Sequence, residues 1–185
     1  MAEEKLMLAY LAGAIDSDGS ISIRRSTYGM RKRKDRISPM FSPRISLRQT
    51  SNIVPNLLKQ VFGGTTYIDK PAKNVKNGKK LYCYEAQNLI AENAIRKLLP
   101  YLKIKKPQAE LVLQLQQIKT LGRKGHKLVI QTNRWGKKMP INHAVYSDEQ
   151  LQSMLDLYLK VRALNDTRYD KLHWPQDLPL PKVEK

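Results

Sequence analysis

Residues 8–23, LAYLAGAIDSDGSISI, set two hydrophobic periods back to back with almost nothing between them. Leu8, Leu11 and Ile15 recur at helical spacing, while Ala9, Gly13 and Ser17 form a second stripe of small residues four apart. From Ser20 the period drops to two: Ile21 and Ile23 face one way, Ser20, Ser22 and Arg24 the other. The pattern predicts a helix over 5–17, a stop at Gly19, and a half-buried strand directly behind it. A helical and a strand period in direct succession place the chain in a mixed class. The helix also ends in Asp16 and Asp18, where the peptide dipole is already negative and each carboxylate is unfavourable by roughly 0.3–1 kcal/mol. Such a break with local preference is expected at a functional site.

The remaining chain supplies the other layers. FSPRISLRQ (41–49) alternates, with Phe41, Pro43, Ile45 and Leu47 on a core side and Ser42, Arg44, Ser46 and Arg48 on a polar side. SNIVPNLLKQVFGG reads as a short helix capped at Ser51 or Asn52, with its proline in the first turn and glycines at its end. TTYIDK and LYCYEA read as two strands, with Asn77-Gly78 as a turn pair in the connection. Helices are expected over 89–102 and 107–120, and a last one from Ser147 to about residue 164, opened by a near capping box with Glu149 or Gln150. The stretch 121–146 reads as irregular and basic, and 175–185, with its prolines, as an extended or disordered tail. The order is helix, two strands, helix, two strands, then helices, without an internal repeat: a single α+β domain over 1–185.

Charge narrows the partner. Lysines and arginines number 34 against 16 acids, a formal net charge of +18, and such an excess calls for a polyanion. Between residues 20 and 48, nine basic residues stand against Asp35 alone, and the run RKRKDR lies between two strands rather than in a tail. No apolar run reaches the roughly 20 residues of a membrane span, the acidic start MAEEKL is unlike a targeting segment, and one cysteine, Cys83, suits a reducing compartment. The expectation is a soluble intracellular protein with no membrane partner. His126, His143 and His173 lack ligand spacing, and no serine or cysteine triad is evident.

Carboxylates gathered against a helix dipole are relieved by a divalent cation, and oxygen ligands point to magnesium rather than a soft metal. The spacing is not that of an EF-hand, since Gly19 is misplaced and no glutamate closes the loop; DSDG in isolation would read as a solvated turn. The longer stretch LAGAIDSDG (11–19), however, resembles the LAGLIDADG motif of homing endonucleases nearly letter for letter. YLKIKKPQAELVL (101–113) and ALND (163–166) also resemble segments of that family, in its single-motif group, and the likeness runs over most of the chain except 121–146.

The resemblance implies the LAGLIDADG endonuclease fold, an αββαββα core whose curved antiparallel sheet is a saddle for double-stranded DNA, with extra C-terminal helices. It implies a homodimer in which Ala9, Gly13 and Ser17 meet their counterparts at a two-fold axis. Asp18 and the backbone carbonyl of Ser17 become metal ligands for Mg2+, with Mn2+ as a substitute, while Asp16 holds the helix end. Asp18, Gln49 and Lys105 become catalytic, Gln49 orienting water and Lys105 serving the scissile phosphate; a second basic helper has no clear counterpart, unless Arg48 fills the place. The implied DNA-binding set is Ser22, Arg24, Ser42, Arg44, Ser46 and Arg48, with Tyr67, Tyr82 and Tyr84, of which Tyr82 and Tyr84 equally suit a core, and Asn165, Arg168 and Lys171 on the phosphate backbone. The implied activity is intron homing by sequence-specific, metal-dependent cleavage of double-stranded DNA at a long pseudo-palindromic site. The alternative is a non-catalytic protein of the same fold, an RNA splicing helper or a DNA-binding regulator.

Overall fold

Helix α1 (Ala2–Asp18) passes into strand β1 (Gly19–Ser26) without an intervening residue. In the computed structural model, which describes residues 2–26, 40–70, 78–121, 126–132, 138–144 and 146–166, Gly19 makes that junction possible. A Cβ there would stand 2.8 Å from the Cα and carbonyl oxygen of Ile15, closer than side chains are tolerated. Strand β2 (Met40–Gln49) pairs antiparallel with β1, Ser22 opposite Arg44. Helix α2 (Ile53–Phe62) then leads through Gly63 and Gly64, at φ 83° and 94°, into β3 (Thr65–Asp69) and β4 (Leu81–Gln87). At Gly64 a side chain would meet the Glu85 carbonyl at 2.8 Å, so the turn needs glycine for space as well as for φ.

The four strands form one antiparallel sheet in the order β1-β2-β4-β3. Pro43, in an inner strand, sits where β2 pairs with β1 alone, because the β4 pairing begins at Arg44; its missing N–H therefore interrupts no ladder on that side. The expected alternation of β2 holds throughout: Phe41, Pro43, Ile45 and Leu47 are buried, while Ser42, Arg44 and Ser46 are half-buried and Arg48 exposed.

Helix α3 (Asn88–Leu98) ends earlier than the expected residue 102, because Pro100 offers no N–H to a continuing helix; residues 99–102 fold into turns on the Leu98 carbonyl. Helices α4 (Lys106–Leu121) and α5 (Asp148–Asn165) follow, and Ser147 with Gln150 completes a full capping box for α5. The expected irregular stretch is corrected: β5 (His126–Thr132) and β6 (Lys138–Ala144) form a separate antiparallel pair. LVIQT within β5 is rich in strand-forming residues.

The helices cover one face of the four-stranded sheet. Leu11 and Ile15 of α1, Leu58 of α2, Ile95 and Leu98 of α3 and Leu115 of α4 are wholly buried with Ile21, Ile45 and Leu47 of the sheet. Helix α5 packs on α4 and β1, and its Tyr158 ring lies 6.2 Å from that of Phe41. The architecture is the expected α+β one, with α1 as the element that delivers its C-terminus to one edge of the sheet. The expected basic run at 31–36, Asn77, the phosphate-contacting Arg168 and Lys171, and the tail over 175–185 lie outside the described residues.

Candidate active site

The end of α1 is held by its own aspartate. Asp16, nine-tenths buried, accepts the backbone N–H of Lys103 on one carboxylate oxygen (2.7 Å) and that of Lys105 on the other (2.8 Å). In return the buried Lys105 ammonium donates to the Asp16 carbonyl. That carbonyl belongs to the last turn of α1, where strand β1 has ended the intrahelical ladder, so the lysine supplies a partner which the helix itself cannot. The aspartate expected to hold the helix end does so, and it also clasps the turn that carries Lys105.

Asp18, the last residue of α1, is exposed. Its Oδ2 accepts a hydrogen bond from Gln49 Nε2 at 2.7 Å, a contact between residues 31 apart in sequence at the end of β2. Asp18 of α1 and Gln49 of β2 are thus joined directly, while Lys105, from the turn before α4, binds the same helix end two residues earlier, at Asp16. No basic residue stands in the last turn of α1, so the negative end of the dipole is left to the Lys105 ammonium and whatever binds outside. The available donors, a carboxylate and helix-terminal carbonyls including that of Ser17, are all oxygen and suit a hard divalent cation. Among the described residues no three His, Cys, Asp or Glu side chains converge.

Beside this corner lies the sheet face away from the helices. The strand register puts Ser22 opposite Arg44, Arg24 opposite Ser42, and Ser46 opposite Ser20 on that face. Arg48 stands opposite Cys83, which in turn faces Tyr67, and Arg48 lies 3.7 Å from Asp69. Of the three tyrosines expected at DNA, Tyr67 is the one in the outward phase, 42% exposed. Tyr84 is corrected: it pairs with Leu47 and shares the core face, wholly buried, its hydroxyl without a hydrogen-bond partner and its pKa pushed up to about 12 by burial. Tyr82, two residues away on the same side, pairs with Gln49 rather than with the outward set. The phase of β4 instead turns Glu85 and Gln87 outward, neither of which was singled out from the sequence. Asn165, expected at a phosphate, donates its amide to the Ile21 carbonyl at 2.8 Å and ties the end of α5 to β1.

The small-residue stripe of α1 is left uncovered by the described residues. Ala9, Gly13 and Ser17 are exposed, and a Cβ built on Gly13 meets nothing within 4 Å. Leu6 and Tyr10 on the same helix are 71% and 55% exposed, an unusual state for large apolar side chains near a core. No helix among the described residues is long and apolar enough to cross a membrane.

No protein-family model matches the sequence, and no curated protein matches it by sequence. Solved structures match by shape. The chain is similar to the homing endonuclease I-CvuI in complex with its target in the presence of calcium, at 21% identity over 90% of this chain and 86% of that one, with a TM-score of 0.58. It is similar to the archaeal intron-encoded homing endonuclease I-Vdi141I complexed with DNA, at 17% identity over 92% of each chain, with a TM-score of 0.61. It is also similar to the homing endonuclease I-TnaI, at 15% identity over 83% of this chain and 86% of that one, with a TM-score of 0.52. The chain has the LAGLIDADG homing endonuclease fold.

Proposed function

We propose that the protein is a sequence-specific, divalent-metal-dependent endonuclease of double-stranded DNA, acting as a homodimer on a pseudo-palindromic site in intron homing. The observation that carries this reading is the exposed Asp18 carboxylate, held by Gln49 on a helix end that Lys105 ties down at Asp16, where α1 meets a sheet face bearing Arg24, Arg44 and Arg48. A domain that only bound nucleic acid would have no use for a carboxylate fixed at a helix C-terminus beside phosphates that it repels. The fold shared with I-CvuI and I-Vdi141I, both solved with DNA, supports DNA as the partner.

Two copies joined along Ala9, Gly13 and Ser17 would cover the exposed stripe and bring two Asp18 carboxylates together. One motif per chain and two strands to cut agree with a two-fold assembly. Magnesium, with manganese as substitute, fits the oxygen donors of Asp18 and the Ser17 carbonyl and would supply positive charge to the phosphate and a more acidic water. The chain's own residues supply the rest. Gln49 fixes the Asp18 carboxylate through its Nε2 and keeps its carbonyl oxygen to accept from, and so orient, a water. Lys105, whose buried ammonium is held on the Asp16 carbonyl, places positive charge behind the end of α1, where it would favour phosphate charge electrostatically. Water adds to phosphorus, the P–O3′ bond breaks, and the departing proton ends on the 3′ oxygen. Ser22, Arg24, Ser42, Arg44 and Ser46 reach base edges in the major groove, arginine pairing with guanine through parallel hydrogen bonds.

The test is cleavage of a randomised duplex library by the purified protein with magnesium, and with calcium in parallel. Recovery of ends from one pseudo-palindromic sequence with magnesium supports the proposal. A library bound selectively but left intact with both magnesium and manganese would leave a DNA-binding regulator in its place.

A further inference from the structure

The outward face of the sheet carries an acid at its centre. Glu85 of β4 stands opposite Ser46 and diagonal to Arg44, on a face that also carries Arg24 and Arg48. Its Oε2 accepts from Arg44 Nη2 at 2.7 Å and its Oε1 from the Gln87 amide, while Gln87 Oε1 accepts from Arg24 Nη1 at 3.3 Å. Four side chains from three strands thus form one directed chain of hydrogen bonds. Because the Gln87 amide nitrogen is spent on Glu85 and its oxygen on Arg24, the carboxamide has a single favoured orientation. The Arg44–Glu85 pair is better sheltered than a surface ion pair, with side chains 34% and 16% exposed. Arg44 Nε is buried without a hydrogen-bond partner, so the guanidinium is seated in the face beside Glu85. Burial alone would raise the Glu85 carboxyl, but the Arg44 and Gln87 hydrogen bonds and the nearby guanidinium charges hold it below its ordinary value, and it is ionised at neutral pH.

We propose that Glu85 is a positioning residue for sequence recognition, which fixes the Arg44 guanidinium and the Gln87 amide so that the base preference of Arg44 depends on a carboxylate that does not itself read a base. The inference rests on the sheet face being the DNA-binding surface. An acid close to phosphates lowers affinity for every sequence alike, and the return is discrimination: an arginine held in one plane donates bidentately to guanine, whereas a mobile one satisfies itself on any acceptor.

Equilibrium binding by wild type, Arg44→Ala, Glu85→Ala, Glu85→Gln and the double variant Arg44→Ala/Glu85→Ala, over a panel of single-base changes in the selected site, tests this. Arg44→Ala is expected to lose about 10-fold or more in discrimination at one position of each half-site. Glu85→Ala is expected to lose at least about fivefold at that same position while binding unrelated DNA more tightly, and the double variant to show no further loss there. Glu85→Gln, which keeps one acceptor and the fold, is expected to fall between wild type and Glu85→Ala. A uniform rise in affinity with an unchanged profile would reduce Glu85 to a repulsive charge and overturn the proposal. A profile relaxed at a different position would make it a reader in its own right, with the same consequence. A wild type without any base preference would overturn the premise and the inference together, and that outcome is separable because it appears before any variant is compared.

Discussion

Gly13→Leu separates the two roles that a small residue in a helix can have. Gly13 lies in the interior of α1, and beyond its own helix backbone nothing among the described residues stands within 4 Å of the position its Cβ would take. Within one protomer, leucine should therefore be accommodated without a clash, and replacing glycine in a helix interior gains up to about 0.8–1 kcal/mol of helix propensity. For a chain of this size that raises Tm by about 2–4 °C. Across a two-fold helix crossing the sign reverses, since each copy drives a side chain into the other. Overpacking of about 1–3 kcal/mol per copy sums to about 2–6 kcal/mol, or dimerisation weakened about 30-fold to 10,000-fold. Sedimentation equilibrium reads the association, and melting over a dilution series reads the linkage: wild-type Tm should rise with concentration, and that of the variant should not. Double-strand cleavage should be lost with the dimer. A variant that associates as the wild type does would refute the placement of this stripe at the interface, and a variant that melts lower at every concentration would show that Gly13 is packed within its own chain.

Asp16→Ala removes both acceptors of the Lys103 and Lys105 N–H groups and should cost about 3 kcal/mol or more in urea denaturation, with Asp16→Asn, which keeps one carbonyl oxygen, losing about half as much. Tyr84→Phe removes a buried hydroxyl that has no partner and should leave stability unchanged or raise it by up to about 1 kcal/mol. Because burial keeps the Tyr84 phenol protonated to about pH 12 while an unfolded tyrosine ionises near 10, the folded state retains the proton longer. Stability should therefore fall as pH rises from about 10 to 12, and Tyr84→Phe should flatten that fall in denaturation curves taken across this range.

Much of this geometry is legible in the sequence where two independent patterns agree. LAGAIDSDG combines a helical period, a small-residue stripe and a paired acid, and it locates α1, its buried and bare faces, and the helix-end carboxylates. FSPRISLRQ has apolar residues in one phase only, so its inward and outward sides are unambiguous. In LYCYEAQ both phases carry apolar groups, Tyr82 and Tyr84 in one and Cys83 in the other, and alternation alone does not choose between them. The phase is set by pairing with β2, and that long-range register is what buries Tyr84 and exposes Glu85 and Gln87. The clasp of Asp16 on residues 103 and 105 is likewise a contact 87 and 89 residues long, which no local window contains. Strand β5 was hidden differently: its short LVIQT run is embedded among basic residues that read as loop, although its strand propensity was the available signal.

The central claim is that Asp18 serves chemistry rather than folding or binding. Asp18→Asn keeps the size of an exposed side chain and an oxygen for Gln49, and it removes the charge. Binding and cleavage of the selected site, measured on the same purified preparations with magnesium, test the claim most directly. The variant is expected to fold and to bind within a few-fold of wild type while cutting at least about 100-fold more slowly, the scale of losing a principal electrostatic group. Cleavage by Asp18→Asn at the wild-type rate would contradict the account.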